Sequence, residues 1–264
     1  MIGIDRVQVG YGEHLIIEDL SVNIPSAKIT TIIGSNGCGK STLLKTIARV
    51  LKVKHGAVFI DGKSLQETPS KEIAKKMAVL PQTAEAPGGL TVQELITYGR
   101  FPHQNYFGKS STEDKKMVEW ALRVTNLERF AERPIEALSG GQRQRVWIAM
   151  ALAQDTDILI LDEPTTYLDM AHQLDILELL KELNCKQNKT IVMVLHDVNH
   201  ASRFSHYLIA MREGDIVTEG KASEVMTTHN LREIFDIQPY FAVCPISGNP
   251  ICLSYEKAVK GPVL

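Results

Sequence analysis

Three short segments hold the residue types that phosphate chemistry needs. The first, Gly34-Ser35-Asn36-Gly37-Cys38-Gly39-Lys40-Ser41-Thr42, fits the pattern G-x4-G-K-[ST]. Phosphate oxygens need closely packed backbone N–H donors, which side-chain-poor residues allow, and the start of a following helix adds partial positive charge. In that arrangement Lys40 reaches the β- and γ-phosphates of a nucleotide and the Ser41 hydroxyl ligates Mg²⁺. The bland reading, a glycine-rich turn with no ligand, loses ground because a strand pattern precedes the loop and a helix pattern follows it. Cys38 inside the loop reads as a packing choice.

The second segment is Ile158-Leu159-Ile160-Leu161-Asp162-Glu163-Pro164-Thr165. An apolar run ending in acids describes a buried parallel strand that delivers carboxylates at its C-terminal end, where open α/β sheets bind ligands. Asp162 would hold Mg²⁺ through water, and Glu163 would act as the general base on an attacking water. Alone, the segment equally describes a strand ending in a solvated acidic turn; its weight comes from following the first. In the third, Leu138-Ser139-Gly140-Gly141-Gln142, Ser139 is an N-cap and the glycines expose backbone N–H groups, so this too is an anion-binding helix start. Arg143 and Arg145 stand in the first turns, where carboxylates are normally favoured. A nearby anion explains them, and so does simple solvation.

The elements that must position these segments alternate between two periods. Ile2 to Val9, Leu15 to Ile24 and Lys28 to Ile33 read as strands, and Lys40 to Val50 as a helix with Leu43, Leu44, Ile47 and Val50 on one face. Ala57 to Leu65 reads as a hairpin about Asp61-Gly62. After Pro87-Gly88-Gly89 the pattern turns helical: Thr91 and Glu94 form a capping box, Ser111 to Asn126 is a helix with Met117, Ala121, Leu122 and Val124 inward, and Ser139 starts another. No strand is expected from there to Ala153. Strands return at Asp157 to Leu161, Thr190 to Leu195, Tyr207 to Met211 and Ile216 to Glu219, the last pair turned at Glu213-Gly214. Lys221 to Ile237 reads as helix, and Gln238 to Leu264 as an irregular tail with short strands.

Composition sets modest bounds. The chain has 264 residues, 44% hydrophobic and 23% charged, with a formal charge of −2, so it can bury a full core and shows no basic excess for nucleic acid. The longest apolar run, Val146 to Ala153, is far below the roughly 20 residues that span a bilayer, and the N-terminus has no charged-then-apolar leader. Cys38, Cys185, Cys244 and Cys252 form no CxxC pair, which favours reduced thiols.

Leu138 to Arg145 resembles the signature motif of the ATP-binding-cassette (ABC) ATPases, and its order between the other two segments strengthens the likeness. The resemblance implies an α/β fold: a P-loop NTPase core with a mostly parallel sheet, an N-terminal antiparallel β-subdomain and an inserted α-helical subdomain. It implies a single domain over 1–237, with the core in 1–86 and 154–220, helices in 87–153, and a short extension at 238–264. It implies ATP held by Gly34 to Thr42, Mg²⁺ held by Ser41, Gln82 and Asp162, and catalysis by Glu163, His196, Gln82 and Lys40. Tyr11 resembles the aromatic that stacks on adenine, or is an exposed edge-strand tyrosine. Gln82 resembles the glutamine that touches Mg²⁺ and the attacking water, and His196 the histidine on the γ-phosphate. The signature residues Leu138, Ser139, Gly140, Gly141 and Gln142 are expected to act in trans, on ATP in a second copy. Asp169 resembles the aspartate that communicates across that dimer, and also suits the N-cap of a helix from Met170 to Leu183. A rival reading of His196 and His200 as zinc ligands at i,i+4 lacks the Glu of an HExxH pattern.

Tyr98 to Gln104, Pro164 to Asp175 and His196 to Ala201 resemble the ATPases of iron(III)-siderophore importers, a group overlapping with haem and cobalamin importers. That implies transmembrane permease subunits as partners, an extracytoplasmic binding protein indirectly, no nucleic acid, and a peripheral place on the cytoplasmic face of the membrane. Non-transport ABC ATPases are the other class. A chromosome-maintenance protein needs long heptad arms between the first and third segments, yet only 96 residues separate Ser41 from Leu138. A ribosome-associated protein would carry two cassettes, and a single set is present.

Overall fold

The computed structural model describes residues 1–82, 86–104, 111–166 and 168–258. Two compact units are formed, one of Met1–Gln66 with Val192–Leu264 and the other of Glu67–Ile191. Tyr167, residues 83–85 after Gln82, and the last six residues of the tail lie outside the described residues.

The first unit opens on β1 (Ile2–Tyr11) and β2 (His14–Ile24), an antiparallel pair in register from Ile2↔Ile24 to Tyr11↔His14. Ile2, Ile4, Val7 and Val9 of β1 and Ile17, Leu20, Val22 and Ile24 of β2 are buried, so each strand puts its apolar face on the core. Next comes β3 (Ile29–Gly34), buried along its whole length, and then α1 (Lys40–Ile47). Sequence periodicity extends this helix to Val50, but the chain leaves it earlier. Arg49 turns left-handed at φ 56°, the Val50 N–H donates to Lys45 O and the Arg49 N–H to Thr46 O, a Schellman ending that leaves Val50 66% exposed. The strands β4 (His55–Ile60) and β5 (Lys63–Ser64) are joined by Asp61-Gly62 at φ 51° and 78°, the left-handed pair a tight hairpin requires. They complete the antiparallel sheet β2-β1-β4-β5.

The second unit contains α2 (Ser70–Lys76), β6 (Met77–Leu80), α3 (Val92–Tyr98), α4 (Thr112–Val124), α5 (Gly140–Ala153), β7 (Ile158–Asp162) and α6 (Met170–Gln187). β6 and β7 pair in parallel from Met77↔Ile158 to Leu80↔Leu161. α3, α4 and α5 pack on one another around Val92, Leu95, Ile96, Val118, Leu122, Val146 and Ala149. On α4 Ala121 and Leu122 are buried as expected and Val118 joins them, while Met117 and Val124 lie at the edge of this stripe and are only half-buried.

At the junction of the three helices sits an ion pair. Arg100, 4% exposed, donates from Nε to Asp114 Oδ1 at 2.8 Å and from a terminal nitrogen to Ala153 O at 2.7 Å. Asp114 is also the carboxylate of the Ser111 capping box, taking bonds from the Ser111 N–H and hydroxyl. Gly99, just before, brings its backbone so near α5 that a Cβ there would lie 2.2 Å from Met150 O.

β8 (Thr190–Val194) carries the chain back into the first unit, followed by α7 (Val198–Phe204), β9 (Tyr207–Arg212), β10 (Asp215–Gly220), α8 (Ala222–Val225), α9 (Thr228–Phe235), β11 (Ile237–Val243) and β12 (Pro250–Lys257). The order β10-β9-β3-β8 runs through this unit, with β3 parallel to β9 and the β9-β10 hairpin antiparallel. The single helix expected over Lys221 to Ile237 is two, broken where Thr227 leaves helical geometry to cap α9. The tail is more regular than its prolines suggest: β11 and β12 form an antiparallel hairpin from Ile237↔Lys257 to Val243↔Pro250. Pro250 opens its strand and Pro239 sits on a strand of a two-stranded sheet, both positions that tolerate a missing N–H.

Burial pushes the Asp114 carboxyl up, but the hydrogen bonds from Ser111 and Arg100 outweigh it and hold it below its ordinary value of 3.8. A carboxylate depressed in this way adds stability that is fully present above 3.8 and is lost as pH falls through the lower folded value. Arg100→Ala strands that charge in the helical core and should cost about 3–5 kcal/mol in urea unfolding. The acid limb of the variant's stability curve should move to higher pH.

Candidate functional site

In the first unit the loop after β3 is shaped by its neighbours. Gly34 has φ 153°, and a Cβ on it would meet Met211 O of β9 at 2.3 Å, so the strand pairing that fixes the loop's base excludes any side chain there. Gly37 and Gly39 follow at φ 79° and 102°, and Gly39 is the N-cap of α1. Lys40, 5% exposed, folds back so that Nζ donates to Gly34 O at 3.0 Å and Ser35 O at 2.8 Å. With those carbonyls engaged by an ammonium, the loop presents positive charge and N–H groups to an incoming anion. The first turn of α1 carries no acid to compete for them. Ser41 is half-buried at the second helical position, Thr42 and Cys38 are buried, and Asn36 is exposed at the loop's crest.

Tyr11 ends β1 beside the turn to His14 and is 51% exposed, a ring face open for stacking. His196 lies two residues beyond β8 and is exposed, and the next residue, Asp197, caps α7 by accepting from Asn199 N at 2.7 Å and His200 N at 2.9 Å. Because α7 starts at Val198, His196 and His200 do not share a helical face and the zinc spacing is not formed.

In the second unit β7 is buried throughout and ends on Asp162, 2% exposed. Glu163 follows at φ 53°, a left-handed conformation that a glutamate adopts at a cost of about 1–3 kcal/mol. Glu163 is 8% exposed; Thr166 donates to its Oε2 at 3.0 Å and its N–H reaches Glu163 O, which fixes the carboxylate's direction. Gln82 is exposed at the bend that follows β6. In each unit the loop carrying candidate residues follows the carboxyl end of a parallel strand.

The start of α5 is a complete capping box: Gln142 N donates to Ser139 Oγ at 3.3 Å and Ser139 N to Gln142 Oε1 at 3.1 Å. A Cβ on Gly140 would meet nothing within 4 Å, whereas one on Gly141 would press Leu168 at 3.1 Å. Leu138 is buried behind them. This helix end opens on a cavity of about 490 Å³ lined by Ser139, Gly141, Gln142, Arg145, Leu168, Asp169 and His172, together with the Asn126 to Phe130 stretch. Arg145 is paired with Asp175 at 2.7 Å while Arg143 is exposed, so one of the two arginines is held at the cavity and the other is solvated. Asp169 caps α6 through His172 N at 2.9 Å and also takes His172 Nδ1 at 2.7 Å; these bonds hold its carboxyl below the usual range. His172, within the Pro164 to Asp175 stretch, is given no role of its own by the sequence, and only its place three residues after a capping aspartate marks this pairing.

The sequence profile described as ABC transporter matches residues 17–166, more than half of the chain. The chain belongs to the ABC transporter family. As an ABC ATPase it binds and hydrolyses ATP. It is 57% identical over 96% of its length to the iron(3+)-hydroxamate import ATP-binding protein of Bacillus subtilis, covering 94% of that relative. It is 46% identical over 94% of its length to the ferric enterobactin transport ATP-binding protein of Escherichia coli, covering 91% of it. Among solved structures it resembles a dimeric ATP-binding cassette in a post-hydrolysis state bound to ADP and Pi, with TM-score 0.74 and 34% identity over 84% of this chain and 98% of that one. A metal-chelate type ABC transporter in an inward-facing conformation aligns with TM-score 0.81 and 26% identity over 97% of this chain and 96% of the other. Among the described residues of this ABC ATPase no helix is long and apolar enough to cross a membrane.

Gly34→Ala should abolish ATP binding in equilibrium titration and lower the melting temperature, since Met211 must move to admit a methyl group. Gly140→Ala, with open space around the added carbon, should melt at the parent temperature.

Proposed function

We propose that this ABC ATPase drives an importer of iron(III)-siderophore complexes, two copies working together beneath transmembrane permease subunits that receive cargo from an extracytoplasmic binding protein. The observation that carries the cargo is the 57% identity, nearly end to end, with an iron(3+)-hydroxamate import ATP-binding protein. The ferric enterobactin relative supports the same class.

In the proposed cycle ATP phosphates rest on the N–H groups of Gly34 to Thr42, Lys40 takes the β- and γ-phosphate charge, and Tyr11 stacks on the adenine. Ser41, Gln82 and Asp162 offer hydroxyl, amide and carboxylate oxygens, a sparse, hard donor set that suits Mg²⁺ held largely by phosphates and water. Bound there, Mg²⁺ would neutralise charge on the transferring phosphoryl group. Glu163 accepts the proton of the attacking water, and its fixed direction supports that role because a base must meet its proton at hydrogen-bond distance. Gln82 orients the same water, and His196 donates to the γ-phosphate. Leu138 to Gln142 close over the γ-phosphate of the other copy, and Asp169 reports closure across the pair. The absence of acids in the first turn of α5 supports an anion there. The insert around Gln82 to His103 would receive the permease, so cargo movement and phosphate state share one joint. The chain would then sit peripherally on the cytoplasmic face of the membrane. The division into a core of 1–86 and 154–220, helices over 87–153 and an extension at 238–264 belongs to the same proposal.

Glu163→Gln should keep ATP affinity, slow turnover by at least about 100-fold and accumulate an ATP-bound dimer on size exclusion. Turnover at the parent rate would remove Glu163 from the base role. For the cargo, cells lacking the chain should lose uptake of ⁵⁵Fe-labelled siderophore; loss of cobalamin or haem uptake with iron-chelate uptake intact would transfer the proposal to those cargoes.

A further inference from the structure

We infer that Asn199 is a positioning residue for His196, through which the C-terminal hairpin β11-β12 sets the place of that imidazole. Asn199 is the second residue of α7, on the first turn after the Asp197 cap. Its side-chain amide makes both bonds of a strand neighbour to one residue of β12: Nδ2 donates to Cys252 O at 3.0 Å, and Cys252 N donates to Oδ1 at 2.8 Å. One turn on, on the same helix face, the Ser202 hydroxyl donates to Pro250 O at 2.6 Å and Asn249 Nδ2 donates to Ser202 O at 2.6 Å. The hairpin is itself bent to offer these groups. Its register shifts between Tyr240↔Ser254 and Phe241↔Cys252, which leaves Leu253 as an extra residue beside Cys252, the bulge geometry that re-aims a strand.

His196 is therefore held between two fixed bodies. Upstream, β8 is buried along its whole length and Leu195 N donates to Ile32 O. Downstream, α7 is bound to β12 on one face and to β3 at its far end, where Ser205 Oγ and Thr31 Oγ1 lie 2.6 Å apart. Only Leu195, His196 and Asp197 join the two. A helix of seven residues has no stable conformation of its own in water, so its direction comes from what it docks on. Removing the Asn199 amide frees the turn next to His196, while the Ser202 and Ser205 contacts keep the helix docked further along.

This inference rests on the proposed contact between His196 and the γ-phosphate, and a double-mutant cycle separates the two ideas. Steady-state ATP hydrolysis by the full chain is measured for Asn199→Ala, His196→Ala and the pair, alongside melting temperature and ATP affinity. Asn199→Ala should lower kcat by about 10-fold or more with KM within about twofold, the pattern of a misplaced transition-state contact. In the His196→Ala background the same change should cost nothing further. Parent kcat in His196→Ala overturns the reading of His196 itself. A slow His196→Ala with parent kcat in Asn199→Ala, or losses that multiply in the pair, overturns the positioning role of Asn199. If Asn199→Ala fails to fold, Asn199→Gln, which keeps the amide but lengthens its arm, is put through the same cycle with the same criteria.

Discussion

The buried ammonium of Lys40 is the interaction on which the loop between β3 and α1 depends. A lysine nitrogen out of water must be surrounded by acceptors, and here they are the carbonyls of Gly34 and Ser35, from the loop that leads into its own helix. Satisfying the ammonium thus also fixes the loop. That closure works only if β3 ends where it does, which is why Gly34 is pressed against the Met211 carbonyl and why β3 is buried from end to end. The antiparallel sheet and α1 serve the same constraint, since α1 packs on β1, β2 and β3 and carries Lys40 at its first position.

The acid side obeys a different rule. A base, the role proposed for Glu163, must be rigid before substrate arrives, and this residue obtains rigidity from a backbone conformation that few side chains accept and from the Thr166 hydroxyl. The helical core that carries α5 is stiffened at its centre by Arg100, whose three-helix junction is polar where the rest of the cluster is apolar. A buried pair of this kind adds less net stability than its strength suggests, and breaking it costs more than forming it gains.

The local geometry of the candidate site was legible in the sequence because it is set within a few residues: the glycine loop from Gly34 leading into α1, the Ser139 cap of α5, and the buried strand ending on Asp162. The strands of the sheets were legible through apolar runs and left-handed turn residues such as Asp61-Gly62. What escaped was non-local or short. α2 and β6, of seven and four residues, are below the length at which periodicity accumulates. Arg100 reads as an ordinary surface charge until Asp114 and the Ala153 carbonyl are seen around it. Val50 continues a helical stripe that the backbone has already abandoned at Arg49, a decision made by hydrogen bonds to Lys45 and Thr46. The C-terminal hairpin was obscured by prolines that its edge and first-residue positions accommodate.

The reciprocal bonds between Ser139 and Gln142 have a consequence for how quickly the start of α5 could grip the anion proposed to bind there. A loop that orders only on contact must search its conformations after each encounter, and every encounter that ends before the search succeeds is wasted. At the start of α5 the search is over at folding: both orphan N–H groups addressed by the box already have partners. For the phosphate proposed to meet it, what remains would be a rigid-body approach to a preformed surface, so the pace of capture would be set by collision and orientation and not by local refolding.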